Sequence, residues 1–232
     1  MPLVDIHCHL NHQELIGNIE EVLANAATAG LKVVVLSGVN PEANRDVLEI
    51  CRKYPMVKAS LGMYPIDILG LSPDEVGLPH HEGAIDLDKE FEFIRENLDS
   101  VISIGEIGMD FFWASKEKTS KAQIENFRKI VRFAIEVKKP IVIHSRKAEA
   151  ECLDVLEEEI KENEIPVVHH CFGGRKTLMK RGVELGHYFS IPANIKRNTS
   201  FEALVKIVPS DKLLTETDAP WQSPFKGKVN EP

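Results

Sequence analysis

No stretch of the 232-residue chain approaches the ~18 consecutive apolar residues of a membrane span. No basic segment leading into an apolar one opens it, so export is not expected and a cytoplasmic location is. Internal repeats and low-complexity tracts are missing as well. Cysteine is scarce: Cys8, Cys51, Cys152 and Cys171 lie scattered with no C-x-x-C, which suits reduced thiols better than a disulfide framework. No G-x-G-x-x-G follows the first apolar run, which leaves an open doubly wound sheet without support. Positive charge is in deficit, 28 Lys and Arg against 36 Asp and Glu, for a net charge of −8. That balance argues against tight non-specific binding to nucleic acid, which needs cations over phosphates, although a total says nothing of local charge.

What is present is alternation. The apolar runs "LVDIH", "LKVVVLSG", "VKASLGM", "VISIGEIG", "PIVIHSR", "IPVVHHCF", "HYFSIPAN" and "KLLTETDAP" are separated by helical patterns such as "NIEEVLANAATAG", "PEANRDVLEICRKY" and "SKAQIENFRKIVRFAIEVKK". In the last of these, Phe127, Ile130, Val131, Ala134 and Ile135 form one stripe at helical spacing. Near-continuous β-branched runs such as Lys32 to Leu36 and Ile141 to Ile143 predict strands buried on both faces. Eight strands alternating with helices predict an α/β fold, the (β/α)8 TIM barrel, as a single domain over residues 1–232. The segment from Tyr64 to Gly83 is a lid or variable surface. After Ala219 only "PWQSPFKGKVNEP" follows, too short and too rich in Pro and Gly for an eighth outer helix. Seven outer helices and a gap are expected, where an uncovered apolar stripe would receive a partner chain or mark a shortened sequence.

Barrel enzymes carry their chemistry at the C-terminal ends of the strands. The first strand ends in His7 and His9, which alternation places on one face with Asp5 while Cys8 turns away. The fourth ends in Glu106, the fifth in His144, the sixth in His170 and the eighth in Asp218. Of the adjacent His169 and His170, only one can face the lumen; His170 does so if Val168 packs with the lumen set. Taken singly, the His7 and His9 pair reads equally as a metal grip or a solvated strand end. Glu106 alone can cap a loop, His144 can be a core histidine, and Asp218 can start a turn. Six metal-ligating residue types at one end of five strands are hard to attribute to chance. His12, His80, His81 and His187 are assigned to solvent or loops, His12 with a lesser claim to support a ligand. Cys171, like Cys8, is expected to point away.

The segments "DIHCHL", "GEIGMDFF", "PIVIHSRKA", "HCFGG" and "TETDAPWQSP", in this order from Val4 to about Pro232, resemble the TatD-type metal-dependent DNases of the amidohydrolase-like barrel superfamily. The resemblance implies that His7, His9 and Asp218 bind one metal, that Glu106 bridges to a second, and that His144 and His170 hold the second. It implies a DNA phosphodiesterase, commonly a 3′ to 5′ exonuclease, with DNA as its partner. Two divalent ions ~3.5–4 Å apart clamp the attacking and leaving oxygens of an in-line displacement. Glu106 and Asp218 are the catalytic candidates, and the mixed donor set suits zinc or manganese better than magnesium. One departure is "MYPIDI", where the family commonly carries His-Pro-His, so that Tyr64 and Ile66 replace imidazoles. Arg146 and Lys147, Arg175 and Lys176, Lys196 and Arg197, and Lys226 and Lys228 follow strands five to eight and predict a phosphate-binding rim. Phe111, Phe112, Trp113 and Trp221 are candidates to stack a base. The alternatives are a deacylase or amidohydrolase on the same barrel, acting on an aminoacyl-tRNA ester or a small amide, and a metal-binding scaffold without activity.

Overall fold

The computed structural model describes residues 3–71, 77–160 and 164–232. Its strands are β1 (Leu3–Cys8), β2 (Leu31–Ser37), β3 (Val57–Leu61), β4 (Val101–Asp110), β5 (Ile141–Arg146), β6 (Val167–His169), β7 (Tyr188–Ile191) and β8 (Leu213–Thr215). They pair in parallel in chain order, as a nearly closed barrel requires. Around them lie α1 (Gln13–Ile16), α2 (Ile19–Ala29), α3 (Pro41–Lys53), α4 (Leu87–Glu96), α5 (Lys116–Glu136), α6 (Glu149–Glu159), α7 (Lys176–Glu184) and α8 (Thr199–Ile207). Local chemistry sets many helix ends. Asn40 caps α3 with Pro41 in its first turn, and Gly30 closes α2 in the left-handed region at φ 98°.

The stripe predicted for α5 is buried at Phe127, Ile130, Val131 and Ala134, with Phe133 added and Ile135 only half covered. Phe133 stacks on Phe91 of α4 at 4.3 Å between ring centroids, which locks two neighbouring helices together. A second, smaller core of Leu153, Phe172, Met179, Phe189, Leu204 and Val208 lies under α6, α7 and α8.

The barrel's seam is where β8 meets β1. Thr215 Oγ1 donates to Val4 O at 2.5 Å, Asp218 N to His7 O at 2.9 Å, and His9 N to Ala219 O at 2.8 Å. Asp5 closes it from inside, accepting from Thr217 N at 3.0 Å and Thr217 Oγ1 at 2.5 Å. No helix forms within residues 221–232. Instead Asn230 folds back, donating through Nδ2 to Thr217 O at 2.8 Å and through N to Pro220 O at 3.0 Å. Leu3 and Thr215 are exposed on this side and Leu213 is half-buried, so among the described residues no helix after β8 covers the outer face of the seam.

Between Tyr64 and Gly83 the described residues are pinned to the body. Asn40 Nδ2 donates to Asp67 Oδ2 at 2.9 Å and Pro79 O at 2.7 Å, and Gln13 N donates to Gly77 O at 2.9 Å. Residues 72–76 of this segment, with Pro73, lie outside the described residues, as does the end of the helical pattern "AEAECLDVLEEEIKEN" at 161–163.

Candidate metal centre

Two glycines let the strands come close enough to build the site. A Cβ on Gly62, just past β3, would collide with the backbone of Gly105 and Glu106, and one on Gly108 would collide with the carbonyl of His144. Gly108 also has φ +139°, which side-chain-bearing residues rarely adopt. Glu106 and His144 are thereby drawn to the same end of the barrel as the seam, which supplies His7, His9 and Asp218. Asp218 and Cys171 sit at φ 54° and 45°, in the sparsely populated left-handed region that loop residues at functional sites often occupy.

All six residues expected as ligands converge. Glu106 is central and nearly fully buried, and its two oxygens face different groups. Oε2 lies 3.4 Å from His7 Nε2 and 3.5 Å from His9 Nε2; Oε1 lies 2.7 Å from His144 Nδ1 and 3.2 Å from His170 Nε2. Asp218 Oδ1 approaches His7 Nε2 at 3.6 Å and His9 Nε2 at 3.8 Å. Three sets of donors, His7 with His9 and Glu106, His7 with His170 and Asp218, and Glu106 with His144 and His170, each fall within 4.8 Å and can hold a cation. His7 Nε2 is buried with no hydrogen-bond partner although it faces two carboxylates, as a nitrogen reserved for a cation would be.

On His7, His9 and His144 the remaining nitrogen meets a hydrogen-bonding partner that orients the ring, while that of His170 faces a carboxylate without a hydrogen bond. His7 Nδ1 lies 3.0 Å from Ser37 Oγ, and His9 Nδ1 lies 3.2 Å from Ser37 O. Because a carbonyl only accepts, His9 carries its proton on Nδ1 and leaves Nε2 free for a ligand. His144 Nε2 lies 2.9 Å from Asp110 Oδ2, and His170 Nδ1 lies 3.4 Å from Glu216 Oε2. Electrostatics report the same demand for positive charge. Burial works to raise the Glu106 carboxyl, yet His170, His144 and His7 hold it well below the usual range. Burial works to lower His144 and His170, but Asp110 and Glu106 lift the first, and Cys171 and Glu106 lift the second well above normal. Desolvation raises Asp218.

Three supporting residues escape a reading of strand ends. Asp110 stands four residues after Glu106 on β4, and Glu216 two before Asp218, so even spacing from a ligand was their signal. Ser37, at the end of β2, had none. Cys171 corrects the expectation that it points away: β6 ends at His169, alternation no longer applies, and Sγ lies 3.7 Å from Asp218 Oδ2. Cys8 does turn away, toward Val35 O. His169 packs outside the centre against Phe189 and His187, so His170 is the inward one of the pair. His187 is therefore buried rather than solvated, and so is His12, whose ring accepts from Glu14 N to cap α1. His81 pairs with Glu42 at 2.8 Å. Ile66 is buried in the core, whereas Tyr64 reaches His144.

Around the mouth, the Arg146 guanidinium lies 3.7 Å from the Phe112 ring centroid and 5.7 Å from that of Trp113. Both rings are exposed, at 50% and 57%. Trp221 stands edge-on to His9 at 5.2 Å. Arg175 is exposed at the head of α7.

The profile of the family described as TatD related DNase matches residues 4–232. The human protein named deoxyribonuclease TATDN3 is 30% identical over 233 residues, spanning 99% of this chain and 82% of its own. The Bacillus subtilis metal-dependent hydrolase YabD is 29% identical over 238 residues, covering 99% and 86%. The Salmonella typhimurium 3'-5' ssDNA/RNA exonuclease TatD is 29% identical over 226 residues, covering 96% and 80%. Among solved structures, that of the Escherichia coli TatD homologue YJJV superposes with a TM-score of 0.83 at 25% identity, covering 99% of this chain and 85% of that one.

Proposed function

Since the chain belongs to the TatD-related DNase family of metal-dependent hydrolases, we propose that it hydrolyses DNA phosphodiester bonds, working 3′ to 5′ from ends or on single strands. The observation that carries this reading is the split of Glu106, one oxygen toward His7 and His9 and the other toward His144 and His170. Glu106 would be a ligand to either of two cations. His7, His9 and Asp218 would hold the first, and His144 and His170 the second. When bound, two divalent ions (Zn, Mn or Mg) supply Lewis acidity toward a phosphodiester and activate water near neutral pH.

The chain's own groups do the rest. Asp218, whose Oδ1 faces His7 and His9, would both hold a cation and accept the proton of the attacking water. Arg146, braced on Phe112, offers a phosphate two parallel N–H donors. Phe112 and Trp113 stack a base of the bound strand, and Arg175 holds a phosphate further along it. Incubation of metal-loaded protein with end-labelled single-stranded DNA, and separately with aminoacyl-tRNA, each with and without chelator, tests this. Mononucleotide release that is lost with chelator and with Glu106→Ala is expected. Amino-acid release without nucleotide release would move the assignment to a deacylase.

A further inference from the structure

Tyr64 stands where the family commonly has an imidazole, and its surroundings give it a task. Its hydroxyl donates to Asp110 Oδ2 at 2.7 Å and lies 3.3 Å from His144 Nε2, and its ring meets the His144 ring edge-on at 4.8 Å. Asp110 is fully buried and its acceptor positions are all used. Oδ1 takes the backbone N–H of Phe112 at 2.7 Å and of Trp113 at 2.8 Å, while Oδ2 takes His144 Nε2 and the Tyr64 hydroxyl. Gln123 fixes the Asp110 backbone in turn, accepting from its N at 2.7 Å and donating to its O at 2.9 Å. A carboxylate filled by four donors cannot rotate without breaking several bonds. His144 therefore keeps a proton on Nε2, and Nδ1, which faces Glu106 Oε1 at 2.7 Å, is the nitrogen left for a cation once its own proton is displaced.

We propose that Tyr64 is a positioning residue, which with Asp110 forms a brace holding His144 Nδ1 toward the cation shared with Glu106 and His170. The same carboxylate anchors the turn bearing Phe112 and Trp113, so the brace joins the rim of the mouth to the ligand set. Tyr64 does not touch substrate in this role. The inference rests on the metal centre and not on which bond is cleaved.

The test compares wild-type protein with Tyr64→Phe, Tyr64→His and Asp110→Asn by calorimetric titration of the metal-free protein with Mn2+ and by the visible absorption of the Co2+ form, both without substrate. Loss of such an orienting partner typically weakens metal affinity ~10–100-fold. We expect Tyr64→Phe to weaken one of the two binding steps by at least ~10-fold and to shift the Co2+ bands. Tyr64→His should recover part of both, since an imidazole N–H can replace the phenol as donor to Asp110, and Asp110→Asn should lose more. With substrate, kcat at limiting metal should fall while KM stays. Unchanged affinity and Co2+ spectrum in Tyr64→Phe would overturn the proposal, and a raised KM alongside them would make Tyr64 a substrate contact instead. Inertness of every form toward DNA would count against the nuclease reading and leave these two metal readouts intact.

Discussion

At Glu106 a buried carboxylate faces four imidazoles, and in the metal-free protein protons supply the positive charge that cations otherwise would. Burial disfavours charge on His144 and His170, but Asp110, Glu106 and Cys171 overcome it, so both hold protons to higher pH than a free imidazole. A cation needs those nitrogens unprotonated and must displace the protons. Metal affinity is therefore full above the raised pKa values of the two imidazoles and declines as pH falls through them. Calorimetry in buffers of different ionisation enthalpy should show net proton release on Mn2+ binding at pH 7. Binding without release, and of equal strength at pH 6 and 8, would contradict this. The six ligand types were legible in the sequence because each lies in the C-terminal half of a strand or just past it, although β4 runs four residues beyond Glu106 to Asp110 rather than ending at Glu106. Asp110, Glu216 and Ser37 were not singled out because a second layer of partners is defined by contacts between strands, which linear spacing shows at most as even numbering.

Between elements, the site depends on close strand approach and on the seam. A methyl group at Gly62 has only backbone atoms of Gly105 and Glu106 to meet, so β3 or β4 must move. Gly62→Ala should cost ~1–3 kcal/mol, as overpacking of a close contact does, and weaken metal binding by displacing Glu106. A variant with wild-type melting temperature and Mn2+ affinity would show that the strands adjust freely. At the seam, burial pushes the Asp5 carboxyl up to about 7 from the usual 3.8, against the hydrogen bonds from Thr217 and His7 that lower it. Between those two values the folded protein binds a proton that the unfolded chain does not. Stability therefore decreases as pH rises from about 4 to about 7, by an amount on the order of a few kcal/mol. Asp5→Asn should remove that slope, which urea titrations across the window would reveal as a wild-type curve falling relative to the variant's. Parallel curves would mean that Asp5 ionises normally. The strands and seven longer helices follow from apolar periodicity. The seam does not, because its bonds join residues more than 200 positions apart.

For the whole molecule, a net charge of −8 and the DNA substrate proposed above are compatible only if charge is sorted in space. On the outer helices, three arginines are engaged by neighbouring acids: Arg128 and Arg132 of α5 bind Glu158 and Glu159 of α6, and Arg181 of α7 binds Asp154 and Glu157. Exposed pairs of this kind contribute little to stability but cancel each other's field. At the mouth, Arg146 instead lies against an aromatic ring, which leaves its charge available, and Lys147, Arg175, Lys176, Lys196, Arg197, Lys226 and Lys228 are exposed in the same set of strand-end loops. A strand laid over this rim displaces counterions, so binding should weaken with salt. Each phosphate contact on a single strand accounts for roughly 0.7 units of the slope of log K against log salt. Arg146→Ala should lower affinity for a single-stranded oligonucleotide and flatten the slope by about that amount. It should leave Mn2+ affinity unchanged, because Arg146 contacts none of the ligands. Arg128→Ala on the outer ring is the control and should change neither quantity. Fluorescence anisotropy with a chelated, non-turning-over protein across a salt series measures affinity and slope for both variants, and calorimetric titration without chelator measures the Mn2+ affinity. An unchanged slope in Arg146→Ala would place the strand elsewhere on the surface and separate the metal centre from this rim.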